Sequence, residues 1–141
     1  MKRTNRTAAG VLFAISLGAA GAALAQSPDA LPPAQTQGSV TFVTGGVGQD
    51  EAAAMKAAEN SYPLALEFVK RAPPNGEFLA NVDVTIKNRS GDTVLTTTSD
   101  GPFLLAKLPA GRYTVVAEVD GQTKTRSIVT GHAPKQVVVV W

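Results

Sequence analysis

The chain has 141 residues, with 13 basic and 11 acidic side chains, one histidine and no cysteine. This length suits a single domain. A sequence without cysteine excludes disulfides, thiol catalysis and zinc–thiolate sites. A single histidine excludes a multi-histidine metal centre.

The formal net charge of +2 arises at the N-terminus, where Lys2, Arg3 and Arg6 supply three of the 13 basic residues. Without these three, the 11 acidic residues outnumber the remaining basic ones by one. The rest of the chain therefore has no basic excess of the kind that nucleic-acid binding requires, and we expect no nucleic-acid partner.

The first 25 residues have the organisation of a secretory signal peptide. A basic leader at 2–6 precedes a small, apolar core at 7–21, and this order is typical of export signals. The core is shorter than the roughly 20 apolar residues that span a bilayer. We therefore expect a cleaved signal and no stable membrane insertion after cleavage.

The cleavage site is predicted between Ala25 and Gln26, because Ala23 and Ala25 supply the small-x-small pattern that a signal peptidase recognises. The alanine- and glycine-rich style of the signal is typical of bacteria, so the expected location is periplasmic or secreted. Residues 26–38 are polar and rich in proline, and they predict a flexible linker. The folded domain is then expected at 39–141.

The folded region opens with a short β-branched run at 39–44, which Gly45–Gly48 ends. A helix from Gln49 or Asp50 to Asn60 is predicted next, because alanine favours helix and acidic residues suit the first turn. Further strands are predicted by alternating apolar residues and turn signals. They lie at 64–68, 82–86, 93–98, 103–108, 112–119, 122–130 and 136–141.

About seven or eight short strands at this spacing predict an all-β fold, an antiparallel β-sandwich with one short inserted helix. The strongest hairpin signal is Asp120-Gly121. Near the predicted strand at 112–119, four residues have structural roles. Leu108 can fill the end of the core, Pro109 fixes φ in a turn, Gly111 permits a positive φ, and Tyr113 can bury its ring while its hydroxyl binds backbone.

The segment Phe78–Val140 resembles the carboxypeptidase regulatory-like domain, a prealbumin-like (transthyretin-like) β-sandwich. The resemblance rests on the strand at 80–86, the segment Thr98–Phe103 and the Leu-Pro-x-Gly-x-Tyr stretch that begins at Leu108. It implies a non-catalytic accessory scaffold. The common pattern of this family does not explain the helix or the Gly45–Gly48 turn, and the turn at 100–103 is shorter than usual.

The candidates for chemistry all have plainer interpretations. The glycine turn lacks the lysine and Ser/Thr of a phosphate loop, and the following Asp50 and Glu51 would repel phosphate. The carboxylates have no spacing typical of an acid–base pair, and those next to glycine favour turns, with a calcium site as the weaker alternative. His132 is expected on the surface, and no serine has a predicted activating base. We expect no catalytic, cofactor-binding or metal-ligating residues.

Trp141 follows four valines at the C-terminus. A tail that a receptor captures is one interpretation; a β-strand that ends in an aromatic core residue is the favoured one.

The function predicted from these patterns is an exported, non-enzymatic β-sandwich module for protein binding or structural support in the periplasm. Its partner would be an unidentified envelope protein, bound through an edge strand or a loop surface. The alternative is a periplasmic small-ligand binding protein for a sugar or a hydrophobic compound. In that case the helix would cover an apolar pocket beside Met55.

Overall fold

The computed structural model describes residues 31–141, which form ten β-strands, one α-helix and one short 3-10 turn. In chain order the elements are β1 (Gln35–Gln37), β2 (Val40–Gly45), α1 (Gln49–Ala58), the 3-10 turn (Glu59–Ser61), β3 (Leu64–Lys70), β4 (Glu77–Phe78), β5 (Val82–Asn88), β6 (Thr93–Ser99), β7 (Phe103–Lys107), β8 (Gly111–Val119), β9 (Gln122–Thr130) and β10 (Lys135–Val140).

The strands form two sheets, and the predicted β-sandwich is confirmed. The first sheet has the order β1-β2-β7-β3-β10, with β4 paired to the end of β3, and the second sheet has the order β6-β5-β8-β9. The two strands beyond the predicted seven or eight are β1 and β4, which have only three and two residues.

The main core fills the space between the sheets. On β5 and β8, every second residue points inward, because side chains alternate between the two faces of a strand. This alternation buries Val84 and Ile86 of β5 with Val115 and Ala117 of β8. The first sheet contributes the larger side chains of this core, which include Phe42, Leu64, Leu66, Phe68, Leu104 and Val139.

Helix α1 covers the opposite face of the first sheet. Met55 of α1 is 0% exposed and packs with Phe103 and Leu105 of β7 and with Ala65 of β3. The middle of the first sheet is therefore buried on both faces. Because β7 is buried on both faces, its residues Phe103–Ala106 are all apolar and do not alternate with polar ones.

The helix begins at Gln49, and its predicted last residues belong to the 3-10 turn instead. Its start is fixed by Glu51, whose Oε1 accepts a hydrogen bond from the backbone N–H of Gly46 at 2.8 Å. A carboxylate in the first turn also complements the positive end of the helix dipole. Among residues 31–141, no helix is both long and apolar enough to cross a membrane.

Strand β10 departs from the predicted antiparallel arrangement. It runs parallel to β3, from Lys135 beside Leu64 to Val140 beside Val69. The antiparallel neighbour of β3 is β7, so only the other side of β3 is available to the last strand. The loop at 131–134 carries the chain from β9 in the second sheet to β10 in the first.

The predicted linker ends earlier than expected, because Gln35–Gln37 forms β1 and pairs with β2. The side chain of Gln37 also bridges the two sheets. Its Nε2 donates to the Thr96 carbonyl at 3.0 Å, and its Oε1 accepts from the Thr96 N–H at 2.7 Å. These polar residues gain order by backbone pairing rather than by apolar burial, which the composition of the segment does not reveal.

Trp141 bridges the sheets on the opposite side of the sandwich. Its Nε1 donates to the Gln122 carbonyl at the start of β9, at 3.0 Å. Its ring meets Phe68 edge to face, with centroids 6.2 Å apart. The interpretation of Trp141 as an aromatic residue packed at the end of a strand agrees with this placement.

Candidate functional site

The predicted structural residues near β8 form one hydrogen-bonded turn. Leu108 and the ring of Tyr113 lie in the main core. The Pro109 carbonyl accepts two hydrogen bonds of 2.8 Å, from the Tyr113 hydroxyl and from Thr130 Oγ1. Burial raises the pKa of Tyr113 above its usual value of 10.0, which keeps the hydroxyl protonated as a donor. These groups tie the start of β8 to the end of β9.

The φ of Gly111 is positive, at 159°, and this glycine is the first residue of strand β8. The residues predicted for signal cleavage, Ala23, Ala25 and Gln26, lie outside the described residues.

The glycine turn before α1 does not form a phosphate site. The Gly46 N–H, which would face a phosphate in such a loop, donates to the Glu51 carboxylate instead. A second anion would be repelled at this position. The predicted tight turn into the helix is what the structure contains.

The other polar candidates lie apart from one another. Asp120 adopts a positive φ of 51° in the β8–β9 hairpin, and Asp92 donates its N–H to Asn88 Oδ1 in the β5–β6 turn. His132 is exposed in the loop before β10. Within residues 31–141, no three His, Cys, Asp or Glu side chains come together in an arrangement that could hold a metal ion.

Strand β10 is one of the two end strands of the first sheet, and β1 is the other. Lys135 donates its N–H to the Pro63 carbonyl at 2.9 Å, and Trp141 donates to Val69 at 3.0 Å. Because backbone groups alternate in direction along a strand, those of Gln136, Val138 and Val140 point away from β3. No strand of the described region pairs with that side of β10. We call it the free edge.

Apolar side chains extend inward across the sheet from the free edge. Val140, Val69 and Phe78 form a row across β10, β3 and β4. Phe78 is 56% exposed and Val138 is 50% exposed. We call these four residues the edge patch. The Phe78 ring also contacts Phe103, at 5.6 Å between centroids, so the patch continues into the cluster beneath α1.

A groove lies at one end of the edge patch. Val69 and Val140 form its floor, and the proline-rich loop at 71–76 forms its wall, around a volume of about 330 Å³. Lys70 and Arg71 also line this groove. The free edge, the edge patch and the groove together form a surface of apolar side chains with charged neighbours. Glu67 lies beside Val138, Lys70 lies opposite Glu77, and Arg71 lines the groove.

Glu59 lies at the end of α1, where burial raises the pKa of its carboxyl group above the usual 4.5. The negative charge of Glu67 raises this pKa further, and Lys56 opposes the shift. Glu67 stands next to Val138 in the register of β3 and β10. A titratable group therefore lies close to the free edge.

Sequence reasoning did not identify Phe78, Gln37 or Glu59 as notable. Phe78 belongs to a strand of two residues, too short for a periodic pattern. The roles of Gln37 and Glu59 depend on Thr96 and Glu67, which folding brings close, and only the tertiary structure reveals them.

The shared Pro109 carbonyl predicts a non-additive pair of substitutions. Tyr113→Phe and Thr130→Val should each lower the free energy of unfolding by about 0.5–1.5 kcal/mol, because each leaves the carbonyl one donor. The double variant leaves the Pro109 carbonyl without either side-chain donor. Its loss of unfolding free energy should therefore exceed the sum of the losses in the two single variants. Urea denaturation of all four proteins measures this coupling, and strictly additive losses would contradict the arrangement.

The raised pKa of Glu59 predicts a pH-dependent stability difference. A carboxyl group whose folded pKa is raised contributes stability that is fully present below its unfolded pKa and is lost as pH rises through its folded pKa. Glu59→Gln cannot ionise. The variant should therefore gain stability relative to the native protein as pH rises from below the usual pKa of 4.5 through the raised pKa of the folded state. Glu67→Gln should shrink this gain. Chemical denaturation across the range measures it, and a difference that does not change with pH would refute it.

Known proteins resemble this chain over part of its length. No curated protein matches the chain. One solved structure, described as the Bacillus anthracis TIE protein, is 19% identical with a TM-score of 0.43, and the match covers 55% of this chain and 16% of that one. This chain thus spans about a sixth of that protein's length. The sequence model of the carboxypeptidase regulatory-like domain matches residues 68–140, slightly more than half of the chain. The chain therefore belongs to the carboxypeptidase regulatory-like domain family.

Proposed function

We propose that this protein is an exported, non-enzymatic β-sandwich module that binds an envelope protein in the bacterial periplasm. The observation that carries the proposal is the free edge of β10, where Val138 is half exposed. Exposed sheet edges usually carry charges, prolines or bulges that prevent pairing. The outward residues of β10 are Gln136, Val138 and Val140, and none of these is charged or proline.

The chemistry of this surface selects an extended segment of the partner. Backbone groups of the free edge can pair with an added strand, and the edge patch can receive the apolar side chains that occur at alternate positions of that strand. Arg71 favours an acidic residue at the end that reaches the groove, whereas Lys70 already lies opposite Glu77.

The non-enzymatic part of the proposal draws on the family, which is non-catalytic, and on the uses of the polar groups. The Tyr113 hydroxyl, the Glu51 carboxylate and the Asn88 amide oxygen are all engaged in turns or helix ends. Export draws on the signal-like sequence at 1–25.

The small-ligand alternative is less well supported at its expected place. Met55 has no exposed surface and packs directly on the first sheet, so the helix is closed on the sheet there rather than raised over a pocket.

Site-specific photocrosslinking in intact cells tests the proposal. A crosslinker at Gln136 should capture one envelope protein reproducibly, and Val138→Lys should reduce the adduct at least about tenfold, because a charged edge resists strand addition. Val138 is half exposed, so this variant should keep its fold. A crosslinker at the exposed turn residue Asp100 is the matched control.

Two outcomes would contradict the proposal. One is an adduct at Gln136 that is no stronger than the adduct at Asp100, or that is unchanged by Val138→Lys. The other is a captured partner from the cytoplasm, which would contradict export.

A further inference from the structure

The outer face of the second sheet, which points away from the first sheet, carries acidic residues at one end. Asp83 of β5 lies opposite Glu118 of β8. Thr98 of β6 and Thr123 of β9 flank this pair in register. All four side chains are exposed. We call them the acidic row.

The other end of the same face is basic. Lys87 of β5 lies opposite Thr114, and Arg112 of β8 lies opposite Val129. Arg89 and Arg112 line one cavity of about 260 Å³. Val129, which also lines it, is 59% exposed. We call Lys87, Arg89 and Arg112 the basic end.

The acidic row places two like charges directly opposite each other, which destabilises a sheet when nothing opposes them. At the basic end, Arg89 and Arg112 line the same cavity. In the acidic row, the hydroxyl groups of Thr98 and Thr123 donate to Asp83 and Glu118 at 2.7 Å and 3.5 Å, but hydroxyls carry no charge. Asp83 and Lys87 are four residues apart on one strand, or about 13 Å. That separation exceeds the screening length of about 8–10 Å at moderate salt, so the two ends do not neutralise each other within one molecule.

The middle of the face is uncharged. Thr85 of β5, halfway between Asp83 and Lys87, lies in register with Thr96 and Val116, and Val116 with Thr125. The face therefore has one sign of charge at each end and a neutral centre, which makes it complementary to a copy of itself turned end for end.

We propose that this face binds a second copy of the chain about a twofold axis that runs along the middle row. The rotation places Asp83 of each copy opposite Lys87 of the other. The same rotation brings Glu118 of each copy towards Arg112 of the other copy and towards the cavity that Arg112 lines. Both like-charge pairs are then opposed by charges of the other sign, as the self-complementarity of a twofold interface requires.

The size of the face sets the strength of this dimer. Four strands at about 4.8 Å and seven residues at about 3.3 Å give roughly 440 Å² on each copy. The area on the two copies together lies below the range of standard specific interfaces, which begins at about 1,200 Å². The dimer is therefore weak, with a dissociation constant in the micromolar range or above, and it weakens as salt rises. It is independent of the free edge of β10, which belongs to the other sheet.

Charge exchange within β5 tests the proposal by sedimentation equilibrium of the purified protein, from micromolar to millimolar concentration at low salt. Asp83→Lys and Lys87→Asp should each weaken the dimer at least about tenfold, because each creates two like-charge contacts across the axis. The double exchange should restore native affinity. A mixture of the two single variants should form a heterodimer, since one carries two lysines and the other two aspartates.

Control variants separate this interface from the free edge. Lys107→Asp changes charge on the first sheet, and Val138→Lys blocks the proposed partner surface; both should leave the dimer intact. A native protein that stays monomeric at millimolar concentration would overturn the proposal, as would single variants that dimerise like the native protein. Shifts of the Arg112 and Val129 amide resonances on adding inorganic phosphate, in a protein that remains monomeric, would instead identify the arginine pair as a small-anion site and would also overturn it.

Discussion

The middle of the first sheet is buried on both faces, and the rest of the architecture follows from this constraint. One face packs on the second sheet, and the other packs beneath α1 through Met55. Because β7 presents large apolar side chains on both of its faces, neither covering layer can be removed without exposing them. The helix is therefore part of the core of this sandwich, and the Glu51–Gly46 hydrogen bond at its start helps to hold that cover in place.

Side-chain bridges close the sandwich on both sides. Gln37 pairs with the backbone of Thr96 on one side, and Trp141 donates to Gln122 on the other. Two outward surfaces of different character remain. The free edge of β10 is apolar and offers backbone groups, whereas the outer face of the second sheet is polar and divided by charge.

The sequence predicts the sandwich well, because strands with one buried face leave a period of two, as Val82, Val84 and Ile86 do. The turn formed by Pro109 and Tyr113 was also predictable, since local chemistry decides it. The parallel direction of β10 was not predictable, because it depends on pairing with β3, a strand that is distant in the sequence. Nor was β1, where Gln37 is ordered by a residue 59 positions away. The edge patch was hidden for a related reason: Phe78, Val69 and Val140 meet only across three strands.

Hydrogen exchange along β10 tests most directly whether one edge of this closed sandwich is left open. In the purified protein, the amides of Val137 and Val139 should be protected by β3, while those of Gln136, Val138 and Val140 should exchange rapidly. The alternating pattern is specific to an unpaired edge strand. Equal protection of all five amides would show that the edge is already covered, and it would contradict the free edge of β10.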